Sequence, residues 1–84
     1  MSKKDKLIKR LKSKPRDFEY DEAVALLFSL GYIESNKGKT SGSKVLFIKD
    51  GLPPIDLHKP HPRKELLPYQ VSKILKELER EGLI

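Results

Sequence analysis

Lys44-Val45-Leu46-Phe47-Ile48-Lys49 and Ile55-Asp56-Leu57-His58-Lys59, joined by Asp50-Gly51-Leu52-Pro53-Pro54, decide the fold. The first run is rich in β-branched and aromatic residues between turn signals, and the second alternates apolar and polar, so both read as strands. Asp50-Gly51 favours a hairpin connection that Pro53-Pro54 lengthens, and Pro60 and Pro62 close the second strand. Upstream, Tyr32-Ile33-Glu34-Ser35-Asn36 is a shorter strand candidate, followed by the polar loop Lys37 to Gly42. Side chains alternate across a strand, which assigns the faces. With Val45, Phe47, Ile55 and Leu57 turned to a core, Lys44, Leu46, Ile48, Asp56 and His58 share the opposite face, provided no bulge shifts the register.

Helices flank these strands. Tyr20, Ala23, Val24, Leu27 and Leu30 form one stripe that ends at Gly31, with Asp21 and Glu22 in the first turn, although Glu19 is a poor N-cap residue. Val71, Ile74, Leu75 and Leu78 follow the i, i+3, i+4, i+7 pattern between Pro68 and Gly82. Leu7, Ile8 and Leu11 mark a short basic helix ended near Pro15, either loosely packed or a free arm. The order helix, helix, three strands, helix predicts an α+β fold, a three-stranded antiparallel sheet with helices on one face. Its other face stays open.

Eighty-four residues with 37% hydrophobic content allow one small core and no deep cleft. The 18 basic and 12 acidic side chains leave a net charge of +6, unevenly spread. Residues 1–16 carry eight bases and one acid, 17–36 five acids and no base, 37–64 seven bases and two acids, and 65–84 three bases and four acids. Two positive surfaces result, which suit a polyanion or are simply solvated faces. The absence of cysteine excludes disulfide scaffolds, thiolate zinc sites and cysteine nucleophiles. The charged start Met1 to Lys6 lacks the apolar core of a secretory signal, and no apolar run approaches membrane-spanning length. A cytoplasmic protein with no membrane partner is expected.

Gly31-Tyr32 after a helix, Gly42-Ser43 leading into a strand with Phe47, and His61-Pro62-Arg63-Lys64-Glu65-Leu66 before a final helix together resemble the HicA toxins over about residues 20–84. That resemblance implies an mRNA-cleaving endoribonuclease, an mRNA interferase of double-stranded-RNA-binding-domain-like fold (α-β-β-β-α), neutralised by a HicB-like antitoxin. Residues 17–84 would be the HicA-like RNA-binding domain, and residues 1–16 an added basic helix or arm. HicA toxins carry Gly-Ser-His at the start of the second strand, and that histidine is the catalytic residue. Here Ser41-Gly42-Ser43-Lys44 puts lysine in its place. Either other groups do the chemistry or the chain binds RNA without cutting it.

Metal-free RNA cleavage needs a base for the ribose 2′-hydroxyl, a cation for the developing phosphorane charge and an acid for the leaving oxygen. Histidine serves as base or acid near neutral pH, whereas lysine, normally protonated, stabilises charge. His58, Lys44 and His61 are therefore the catalytic candidates. Lys37, Lys39, Ser43, Lys44, Lys59, Arg63 and Lys64 are the RNA-contacting candidates across the open sheet face. Each has a plainer reading: His58 as a surface residue, His61 as a turn residue between prolines, Lys44 as a phosphate contact. Asp56, His58 and His61 make too small a set for a metal site, and no cofactor is expected. Outward-facing Leu46 and Ile48 form an apolar strip for an antitoxin to cover, or for Leu7, Ile8 and Leu11 of the same chain.

Overall fold

A computed structural model describes residues 2–35, 44–60 and 62–84. The elements run α1 (Lys3–Lys12), α2 (Tyr20–Ser29), β1 (Ile33–Ser35), β2 (Lys44–Ile48), β3 (Ile55–His58) and α3 (Pro68–Arg80). The strands form one antiparallel sheet in the order β1-β2-β3. Ile33 lies opposite Ile48 and Ser35 opposite Leu46, while Lys44, Val45, Leu46 and Phe47 face His58, Leu57, Asp56 and Ile55. No bulge interrupts these pairings, so the faces are those the alternation predicts: Phe47, Ile55 and Leu57 are buried and Lys44 and His58 exposed.

Two helix starts are secured by side chains three residues in. The Glu22 carboxylate accepts the backbone N–H of Glu19 at 3.0 Å, so α2 is capped from its third position although residue 19 itself is a poor cap. Gln70 does the same for α3, its Oε1 accepting the Leu67 N–H at 2.9 Å beside Pro68 in the first turn. Gly31 (φ 98°) and Gly82 (φ 73°) follow the ends of α2 and α3 in the left-handed conformation glycine tolerates. At Gly31 the Lys49 ammonium reaches over the turn to donate to the Leu30 carbonyl, a cation at the negative end of the helix.

The basic N-terminal segment is more firmly held than its composition suggests. Leu7 and Leu11 are buried in the common core, and α1 packs against α2 and α3. The Arg10 guanidinium donates to both Glu22 oxygens, through Nε at 2.7 Å and Nη2 at 3.1 Å, and lies over the Phe18 ring. α1 therefore does not cover the sheet's outer face, where Ile33 is 61% and Ile48 37% exposed. Sequence periodicity also passes over Phe18 and Leu66, both fully or almost fully buried. The Leu66 N–H donates to the Phe18 carbonyl and the Tyr20 N–H to the Lys64 carbonyl, each at 2.9 Å. This short bridge joins the approaches to α2 and α3, and it is too brief to show alternation.

Candidate nucleic-acid interface

The outer sheet face is polar toward one end because the register sets Lys44, the first residue of β2, opposite His58, the last of β3. Directly paired residues of antiparallel strands project to one side with Cβ atoms about 5 Å apart. An ammonium and an imidazole are thereby neighbours on a surface open to solvent. Asp56 stands on the same face two residues before His58. Its Oδ2 lies 3.3 Å from Lys44 Nζ and its Oδ1 2.8 Å from Lys73 Nζ, which arrives from α3. The hydrogen bond from Lys73, helped by the one from Lys44, holds the Asp56 carboxyl below its ordinary pKa against the opposing effect of burial. Two lysines and one aspartate leave this cluster with a surplus positive charge.

α3 fixes the His58 backbone. Gln70, buried and already engaged at the helix start, donates from Nε2 to the His58 carbonyl at 3.2 Å. The shallow hollow between β3 and α3 is lined by Asp56, Leu57, His58, Tyr69, Gln70 and Lys73. Tyr69 is 62% exposed there, an aromatic surface beside the imidazole. His58 is exposed, and among the described residues its ring has no hydrogen-bond or ion-pair partner.

Sequence reasoning missed Tyr69, Gln70 and Lys73. The available signal for Tyr69 and Lys73 was their spacing, four apart on one helix face off the apolar stripe of α3, whereas Gln70 lies on the buried side, four residues before Ile74. That this face meets the β3 edge is a matter of tertiary packing. The remaining cations are distributed differently from the single open face expected. Lys59, Arg63 and Lys64 line a second groove with Glu19, Tyr20 and Asp21 at the start of α2, and Arg63 Nε lies 3.9 Å from Glu65. They do not join Lys44 and His58. Lys37, Lys39, Ser43 and His61 lie outside the described residues.

Beyond the polar cluster the same face turns apolar, with half-buried Leu46 followed by the cross-strand pair Ile33 and Ile48. Among the described residues no three of His, Asp and Glu gather as a possible metal site, and no helix is long and apolar enough to cross a membrane.

A small α+β domain with helices on one side of its sheet and an exposed cation–imidazole pair on the other defines the class. Residues 20–79 match the family described as HicA toxin of bacterial toxin-antitoxin, a span holding the whole sheet, α2 and all of α3 but its last residue. The chain belongs to the HicA toxin family. Comparison with the curated proteins finds no match, and neither does comparison with the solved structures. α1 precedes the matched span.

Proposed function

We propose that this toxin is an endoribonuclease that cleaves mRNA in the cytoplasm and is held inactive by a HicB-like antitoxin. The observation that carries the reading is the pairing of Lys44 with His58 on an uncovered sheet face, inside the span that matches the toxin family. His58 is the group suited to take the proton from a ribose 2′-hydroxyl. The 2′-oxygen then attacks the adjacent phosphorus, and the bond to the 5′-oxygen breaks to leave a 2′,3′-cyclic phosphate. The departing 5′-oxygen takes its proton from water or from His61. Lys44, steadied by Asp56, offsets the negative charge that gathers on the phosphoryl oxygens. Tyr69 offers a stacking surface for a base next to the scissile phosphate. Lys37, Lys39, Ser43, Lys59, Arg63 and Lys64 extend the contact along the RNA backbone.

The test compares the protein with its His58→Ala variant on one labelled RNA, following cleavage and binding separately. Lost cleavage with retained binding supports the mechanism, and cleavage at the original rate removes His58 from it. A second reading, an RNA-binding module without hydrolytic activity, is favoured by Lys44 itself, which occupies the place of the family histidine and is tied to Asp56. Under that reading the unaltered protein binds RNA and leaves it whole.

A further inference from the structure

The first turn of α1 carries positive charge where the helix itself does not want it. Lys3 and Lys4 are its first two residues and Lys6 lies in the first turn, next to the positive end of the macrodipole, with Asp5 the one compensating acid. Lys6, Lys9 and Lys12 recur every third residue, so like charges stand about 4.5 Å of helical rise apart. Lys14, just beyond the helix, holds φ at 50°, a left-handed conformation that glycine or asparagine would adopt with less strain. Among the described residues none of these six lysines has an ion-pair partner, whereas Arg10 of the same helix is fully engaged by Glu22 and Asp17. The fold uses one cation of α1 and leaves the rest facing water.

The apolar side of α1 is also spoken for. Leu7 and Leu11 are buried against the core, so the helix cannot lay an apolar stripe into a membrane or a partner's groove. What it presents is a rigid cationic row fixed to α2 and α3, on the helix side of the molecule and away from the bare sheet face. We infer that the exposed side of α1 is a second RNA-binding surface, which grips the phosphates of a strand at a distance from the Lys44–His58 pair. It takes the backbone of any sequence, since lysines on a helix surface meet phosphates as point charges rather than reading bases. This inference rests on the RNA-directed reading above but not on cleavage.

The test is equilibrium binding of a labelled single-stranded RNA of mixed sequence across a range of salt concentrations. A Lys6→Gln/Lys9→Gln/Lys12→Gln variant is expected to bind about tenfold or more weakly at low salt, and the slope of log K against log salt to fall by about 2, at roughly 0.7 per lost phosphate contact. Its Tm is expected to stay within a few degrees, because relieved like-charge repulsion is set against the loss of Lys9 and Lys12 from the last turn, where they complement the macrodipole. Lys14→Gly separates charge from structure: it removes strain, so Tm rises while the slope falls by about 0.7. An unchanged slope in both variants, with the unaltered protein binding RNA, overturns the role of α1 and leaves the sheet-face reading standing. No RNA binding by the unaltered protein overturns both. Unchanged RNA binding with weakened binding of poly-glutamate assigns the row to an acidic protein instead, and overturns the inference.

Discussion

The two ends of the outer sheet face are built on opposite physical terms. At one, Lys44, Asp56, His58 and Lys73 form a charged cluster whose backbone is tied to α3 through Gln70. At the other, Ile33 and Ile48 stand exposed across a strand pair, with the half-buried Leu46 between the two regions. One end is suited to developing negative charge, and the other gains most from being dried by a partner. A toxin that acts on RNA and is silenced by a protein, as proposed above, would have use for both. On the proposed reading, substrate and inhibitor depend on different residues of one surface, so that each can be disturbed alone.

Substitutions at the polar end should have the largest effects. His58→Ala is expected to slow RNA cleavage by about 10²–10⁴-fold, the usual reach of general acid–base catalysis, with an unchanged circular dichroism spectrum. Gln70→Ala strands the Leu67 N–H and leaves the His58 carbonyl without its donor. A loss of about 1–3 kcal/mol is expected, read as a Tm lower by at least several degrees, together with slower cleavage as the imidazole loses its support. Asp56→Asn frees both lysines. Because the native Asp56 pKa is depressed by Lys73 and Lys44, its stabilisation is present above the ordinary carboxyl value of 3.8 and lost as pH falls through the lower native value. The variant should therefore lose less Tm on acidification through that window than the unaltered protein does. Ile48→Lys, at the apolar end, should shift stability by no more than about 0.5 kcal/mol and leave cleavage intact, yet weaken binding of the antitoxin. Equal damage to cleavage from Ile48→Lys would erase the distinction between the two ends.

Much of this surface could be read from alternation alone. Ile55-Asp56-Leu57-His58 has period two, and with Lys44-Val45-Leu46-Phe47 it fixes which residues share a side. The apolar stripe of α3 was equally plain, since Val71, Ile74, Leu75 and Leu78 are all buried. What escaped were contacts that depend on elements distant in sequence. Lys73 reaches Asp56 because α3 runs beside β3, which no local pattern encodes. The burial of Phe18 and Leu66 comes from pairing between segments that each look like linkers. The cap on α2 was half visible, as a glutamate three residues beyond Glu19, but its second duty to Arg10 depends on where α1 docks. Charge alone groups Lys59, Arg63 and Lys64 with the sheet, whereas the bridge before α3 draws that segment to the start of α2.

The seat of α1 has a consequence for the order in which the molecule takes shape. α1 is synthesised before both helices it packs against, α2 and, beyond the whole sheet, α3. Until α3 has emerged, Leu7 and Leu11 have only part of their burial site, and Arg10 can meet Glu22 without a finished core behind it. α1 can therefore complete its burial only once the sheet and α3, both later in the chain, have been made.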